Sequence, residues 1–250
     1  MGSDPDGTPR VVSLVPSVTE TLLAWGVTPV ACTRFCEQPD IAHVGGTKNP
    51  DVAAVVALRP DLVVMEREEN RLDDHAALEA AGVATEVLHV TSLDDVGPET
   101  ARLAARLAEL GAALSPDAGT ALASGPAPTG RGVRTPGVVA FVPIWRRPWM
   151  TVNRHTYGAS LLARLGVTVA FADEPQRYPE VTARRIAAAA PDVVLAPTEP
   201  YPFKPRHLAE LEQFAPAHLV DGRDLFWWGA RTPAALRRLA VELDEMEPGR

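Results

Sequence analysis

The sequence lacks any long hydrophobic run. Its apolar stretches are short and broken by polar residues, far below the roughly 20 residues that a membrane-spanning helix needs, so membrane insertion is excluded. A basic excess is missing too: 24 Lys and Arg stand against 32 Asp and Glu, a net charge of −8. Nucleic-acid binders carry a basic face, so no nucleic-acid partner is expected. Sulfur is scarce, with two cysteines, Cys32 and Cys36. Their Cys-x-x-x-Cys spacing would suit one helical turn, but Cys32 falls at a strand end, and the spacing alone makes a poor redox or metal pair. Catalytic signatures are absent as well: there is no Walker loop, no Gly-x-Ser-x-Gly and no Gly-x-Gly-x-x-Gly, and Gly45-Gly46-Thr47 alone is too short to cradle a phosphate. The histidines His43, His75, His89, His155, His207 and His218 show no tight metal-ligand spacing, so no metal site is assigned; only His155 lies in a loop of interest. The opening Met1-Gly2-Ser3-Asp4-Pro5-Asp6-Gly7-Thr8-Pro9 has neither a basic nor an apolar leader region. The sequence as it stands is therefore expected to be cytoplasmic, or periplasmic or extracellular if a leader has been removed.

What is present is an internal repeat. Val11-Val12-Ser13-Leu14-Val15-Pro16 returns as Val138-Val139-Ala140-Phe141-Val142-Pro143, and Leu23-Ala24-Trp25-Gly26-Val27-Thr28 as Ala163-Arg164-Leu165-Gly166-Val167-Thr168. Ala57-Leu58-Arg59-Pro60-Asp61-Leu62-Val63-Val64 returns as Ala188-Ala189-Ala190-Pro191-Asp192-Val193-Val194-Leu195. Each copy reads strand, helix ending at Gly, strand, helix, Pro-Asp, strand. Nearly continuous apolar strands alternating with helices predict parallel sheets covered on both faces. The fold class is α/β: two similar Rossmann-like lobes joined by a helical linker, with a ligand cleft between them. At 250 residues the chain has room for two domains of roughly 100–150 residues. The expected organisation is a disordered N-terminus over 1–9, an N-terminal lobe over 10–97, a linker helix with a Gly/Pro-rich junction over 98–136, and a C-terminal lobe over 137–250.

Several elements carry their own signals. Ser17-Val18-Thr19-Glu20 has capping-box spacing, with Val18, Leu22 and Trp25 on one face and Gly26 as the stop. Asn49-Pro50 predicts a cap followed by proline at the first helical position, and that helix should run to Leu58. A strand is expected at Leu62–Met65, a helix over Arg71–Ala81 closed by Gly82, and a strand at Thr85–Leu88. Pro98–Leu110 reads as an amphipathic helix with Leu103, Leu107 and Leu110 in one stripe, and Ser115–Ser124 has helical character. A last helix begins at Thr232-Pro233, striped with Leu236, Leu239 and Leu243.

Ligands of open α/β sheets lie beyond the carboxyl ends of the strands. In the first lobe the loops there carry Ser17, Arg34, Phe35, Cys36, Glu66 and Asn70. In the second they carry Trp145, Arg146, Trp149, Arg154, Tyr157, Glu199, Tyr201, Phe203, Trp227 and Trp228. Four of five tryptophans fall in two of those loops, although aromatics make up only 6% of the chain. The pairs Trp145/Trp149 and Trp227/Trp228 cannot all point inward. Flat rings with nearby arginines suit a large planar or anionic ligand.

The segments Arg10–Glu20, Val44–Asp51 and Ala57–Val64 resemble the helical-backbone metal receptor superfamily, which includes vitamin B12-, iron-siderophore- and haem-binding proteins of ABC importers. The resemblance spans about residues 10–245. It implies two α/β lobes joined by one long helix, with the ligand pinched between them and little hinge motion. An aromatic that covers the corrin ring in the family's vitamin B12 binders falls at Glu66 here, and the acidic residue that docks lobe one on a transporter falls at Leu72, followed by Asp73 and Asp74. Relatives without a leader are similar in Arg34-Phe35-Cys36 and Glu68-Glu69-Asn70.

The resemblance thus implies a monomeric, non-enzymatic receptor that holds a metal-containing small molecule, either a corrinoid such as cobalamin or an iron chelate such as a ferric siderophore or haem. The ligand is held without a covalent cofactor, and the membrane subunits of an ABC transporter are the implied partner. Two rival readings stand beside it. One is a chelatase or metallophore-tailoring enzyme in which Cys36 works with His155 or Glu66; the other is a partner-binding scaffold.

Overall fold

The computed structural model describes residues 8–119 and 137–246. Chain order begins with β1 (Val11–Ser13), α1 (Pro16–Ala24), β2 (Ala31–Cys32), β3 (Ala42–His43), β4 (Gly45–Gly46), β5 (Asn49–Pro50) and α2 (Val52–Ala57). It continues through β6 (Leu62–Glu66), α3 (Leu72–Ala80), β7 (Thr85–Leu88) and α4 (Leu93–Glu109). After the undescribed stretch come β8 (Val138–Phe141), β9 (Trp149–Met150), α5 (Tyr157–Arg164), β10 (Val167–Val169), β11 (Glu180–Val181) and α6 (Ala183–Ala189). The chain ends with β12 (Val193–Pro197), α7 (Pro205–Leu211), β13 (Ala217–Val220), α8 (Gly222–Phe226) and α9 (Thr232–Glu245).

The described residues form two compact units, one of 8–90, 94–119 and 228–231, the other of 91–93, 137–227 and 232–246. The first is built on a parallel sheet of order β3-β2-β1-β6-β7. The second is built on a parallel sheet of order β10-β8-β12-β13. The sequence repeat is thereby visible as topology, since β2, β1, β6 and β7 correspond in order to β10, β8, β12 and β13. Both helix-ending glycines of the repeat have positive φ, +84° at Gly26 and +81° at Gly166, the left-handed turn that lets each helix stop and feed the next strand. The α/β reading holds.

The first core packs Val12, Leu14, Val63, Met65 and Leu78, all essentially inaccessible. The second is an aromatic nest in which Phe141 meets Trp149, Phe171 and Phe214 edge-on at 6.1–6.3 Å. Each such side chain, taken out of water, contributes about 1.5–3 kcal/mol. No helix among the described residues is long and apolar enough to cross a membrane.

Several local expectations are corrected. The Ser17–Glu20 capping box does not form: Val15 is the N-cap of α1 and makes no side-chain cap bond. Pro16 starts the helix and has no amide hydrogen to satisfy, and Glu20 accepts instead from Arg231 Nε at 2.8 Å. Asn49 does not cap α2. A residue before proline is pushed toward extended geometry, so Asn49-Pro50 pairs antiparallel with Gly45-Gly46, and Asp51 caps α2 by accepting from the Ala54 amide at 2.9 Å. The helix expected from Pro98 begins at Leu93. Pro98 lies close to its start, and Asp94 and Asp95 in the first turn favour the positive end of the helix dipole. Leu103 and Leu107 are buried as expected. In the Ser115–Ser124 segment, residues 116–119 are turns, and the rest lies outside the described residues. So do the expected disordered N-terminus up to residue 7 and the Gly/Pro-rich junction from residue 120.

Candidate functional site

In the first unit, β2 ends at Cys32 and a tight turn brings Arg34 and Phe35 to the surface. The Phe35 ring is 51% exposed, and the Arg34 guanidinium carbon lies 4.7 Å above its centre. The Arg34 amide donates to the Gly45 carbonyl at 2.9 Å. A Cβ on Gly46 would meet that guanidinium at about 3.0 Å, so glycine there leaves room for the arginine. Among the described residues no carboxylate pairs with Arg34. Cys36 is turned inward, with Sγ 3.1 Å from Thr19 Oγ1 and 3.2 Å from Thr33 Oγ1. Within its own unit the Cys36 sulfur is hydrogen-bonded to these two hydroxyls, and Glu66 is not among its partners.

Glu66 ends β6 with its carboxylate buried at 2% exposure. Oε2 accepts from the amides of Glu68 and Glu69 at 2.6 and 2.9 Å, and Oε1 from the Val90 amide at 3.3 Å. His89 Nδ1 stands 3.8 Å from Oε1, beyond hydrogen-bond reach. Burial pushes Glu66 up to about 7, while the backbone donors and Lys48 pull against it. Asn70 is structural: its Nδ2 donates to the Leu14 and Thr47 carbonyls at 3.2 and 2.9 Å. Ser17 is buried in the first turn of α1, where its carbonyl accepts from Thr21 Oγ1 at 2.8 Å.

The second unit sorts its candidates sharply. Trp145, in the loop after β8, is 45% exposed and meets Tyr201, in the loop after β12, edge-on at 5.5 Å. Tyr201 rests in turn on Phe203 at 4.7 Å. Trp149 points inward, stacked with Phe203 at 6.5 Å and edge-on to Phe141. Phe203 is itself buried. Arg146 is committed to Glu210, which accepts from its Nε at 2.7 Å. Arg154 is committed to Asp173. Tyr157 is buried, its hydroxyl 2.9 Å from Thr232 Oγ1. Glu199 is half-buried beside Gly222, where a Cβ would sit 2.5 Å from the Glu199 amide nitrogen. Trp227 is half-buried; Trp228, which opens the 228–231 segment of the first unit, is buried. His155 is exposed. Among the described residues no group of three or more His, Cys, Asp and Glu side chains converges on a point.

The carboxyl-edge rule thus leaves Arg34, Phe35 and Trp145 presenting rings or charge outward, with Tyr201 partly buried against Trp145 and the Glu66 carboxylate buried. His89, Thr19 and Thr33 are not among the residues that the loop positions single out. Extending the same rule to the end of β7 would have found His89; the threonine hydroxyls carry no sequence signal of their own.

Two parallel α/β units carry these groups. A family described as periplasmic binding protein matches residues 11–125. The chain is 22% identical over 249 residues to a vitamin B12-binding protein of Pectobacterium carotovorum, covering 96% of this chain and 90% of that protein. It is 25% identical over 205 residues to the vitamin B12-binding protein of Salmonella typhimurium, covering 75% of this chain and 71% of that one. In fold it is similar to the periplasmic vitamin B12 binding protein BtuF of Vibrio cholerae, with a TM-score of 0.75 at 18% identity over 94% of this chain and 96% of that one. It is likewise similar to the periplasmic heme-binding protein RhuT of Roseiflexus sp. RS-1, with a TM-score of 0.76 at 20% identity over 95% and 98%.

Proposed function

We propose that this chain is a non-enzymatic receptor for a metal-containing small molecule, a corrinoid such as cobalamin or an iron chelate such as a ferric siderophore or haem, serving the membrane subunits of an ABC importer. The observation that carries the reading is the exposure of Phe35 and Trp145. Both are large rings left in water in loops that follow strand ends, where open α/β sheets bind their ligands. An exposed ring held by a cation on one side, as Phe35 is by Arg34, or by another ring, as Trp145 is by Tyr201, is ordered before any ligand arrives. That lowers the entropy cost of stacking. The vitamin B12 specificity in the names of the sequence relatives supports the corrinoid arm, and the heme-binding protein of similar fold supports the iron arm. Of the proposed contacts, Arg34, Phe35, Trp145 and Tyr201 carry the stacking and the charge, and Glu66 answers to pH.

The test is tryptophan-fluorescence titration with cyanocobalamin, haem and a panel of ferric siderophores, corrected for ligand absorbance, with thermal unfolding alongside. Saturable quenching and a raised Tm for one class identify the ligand, because a molecule that binds only the native state stabilises it. Phe35→Ala and Trp145→Ala should each weaken that ligand by about 3- to 10-fold, the worth of one stacked ring. No saturation with any of the three classes overturns the reading.

A further inference from the structure

The ligand reading leaves one chemical feature unused. Cys32 closes β2, and the next turn, in which the Cys36 amide donates to the Thr33 carbonyl at 3.1 Å, folds Cys36 back beside the strand end. Both thiols are free and buried. Thr19 Oγ1 and Thr33 Oγ1 lie 3.1 and 3.2 Å from the Cys36 sulfur, and hydroxyls placed this way stabilise a thiolate. The two thiols also act on each other across the turn, which holds Cys36 below the ordinary thiol range and Cys32 above it. One sulfur is thus prepared as a nucleophile, and the second stays protonated next to it. That is the arrangement in which a first oxidation product is captured by a resolving thiol.

We propose that Cys36 and Cys32 are a peroxide-oxidised dithiol, in which Cys36 reacts first and Cys32 resolves it to an intrachain disulfide. The Cys36 thiolate attacks one oxygen of hydrogen peroxide and the O–O bond breaks. The sulfur becomes a sulfenic acid, and the released hydroxide takes up a proton to leave as water. The Cys32 sulfur then attacks the Cys36 sulfur. The S–S bond forms as the S–O bond breaks, and the hydroxyl departs with the Cys32 proton as a second water. In sum two thiols give up two electrons and two protons, and one peroxide becomes two waters. The oxidant is solvent-sized, which suits a sulfur that is only 2% exposed beneath the exposed Arg34 and Phe35. The bond closes a ring around Thr33-Arg34-Phe35, so the proposed ligand loop is stiffened in the oxidised form. The oxidation chemistry itself stands whether or not that loop binds a ligand.

The test treats the full chain with hydrogen peroxide near neutral pH, blocks remaining thiols with iodoacetamide and digests with trypsin without reductant. Cleavage after Arg10, Arg34 and Lys48 puts the cysteines on separate peptides, 11–34 and 35–48. The expected product is the two peptides joined, lighter than their sum by two hydrogens, and separated by dithiothreitol. Cys32→Ser should stop at a dimedone-reactive sulfenic acid on Cys36. Unlinked peptides with both cysteines alkylated would overturn the proposal, as would Cys36 found only as sulfinic acid. So would a Cys36→Ser protein whose Cys32 oxidises as fast as Cys36 does in the parent.

Discussion

The Glu66 amide donates to Asn70 Oδ1 at 2.8 Å, so the strand end that delivers the buried carboxylate is itself held by the side chain four residues on. The loop between them closes onto that carboxylate through the Glu68 and Glu69 amides. The acid is fixed in place whether or not it is charged, and its cost therefore varies with pH.

Burial raises Glu66 from its ordinary 4.5 to about 7 in the folded protein. Between those values the native state binds more protons than the unfolded chain, so the stability this group contributes is fully present below pH 4.5 and is lost as pH rises through 7. Glu66→Gln removes the titration. Urea midpoints measured from pH 5 to 8.5 should shift in favour of the variant as pH rises, by up to about 3 kcal/mol at roughly 1.4 kcal/mol per unit. A pH-independent difference between the two proteins would refute the burial argument.

Trp145 and Trp149 are four residues apart and face different surroundings. Trp149 packs on Phe141, Phe203 and Phe214, and Trp149→Ala should cost about 3–5 kcal/mol of stability. Trp145 is 45% exposed, and Trp145→Ala should stay within about 1 kcal/mol. Chemical denaturation of both variants compares them directly, and equal losses would contradict the packing described.

Gly229 has φ +102° and lies against Thr21, where an added Cβ would come 2.2 Å from Oγ1. Gly229→Ala meets both a left-handed backbone penalty and a clash with a hydroxyl that already accepts from the Ala230 amide at 3.1 Å. A loss of about 2–4 kcal/mol is expected. Thermal unfolding reads it, and an unchanged Tm would mean that the 228–231 segment is free to move away from α1.

Asp224 is buried at 1% exposure and accepts from Arg238 through both carboxylate oxygens at 2.6 Å. Arg238→Ala leaves that carboxylate without its guanidinium, at a cost of about 3 kcal/mol. Replacing both residues by well-packed apolar ones should recover much of the loss, which a double-mutant cycle measures.

The elements legible in the sequence are those set by local chemistry. The apolar run 62–65 and the alternation at Thr85–Leu88 are strands in the structure, and Gly82 ends the helix before β7 with φ +74°. The repeat announced two copies of one sheet topology. What local pattern could not reveal is partner choice over long separations. Arg146 reads as a ligand arginine until Glu210, 64 residues later, claims it. Glu20 reads as half of a capping box until Arg231, 211 residues later, takes its carboxylate. Trp149 and Trp145 carry the same signal in sequence, and only the presence of Phe203 and Phe214 beside one of them decides which turns inward.

Thr21 waits for its backbone partner across 209 residues, because residues 228–231 belong to the first unit although both flanking stretches belong to the second. During synthesis the N-terminal sheet emerges from the ribosome early, yet one of its covering segments is among the last to be translated. A nascent chain halted at the junction after α4 therefore carries a sheet whose helix α1 still shows water a surface reserved for Gly229 and Arg231.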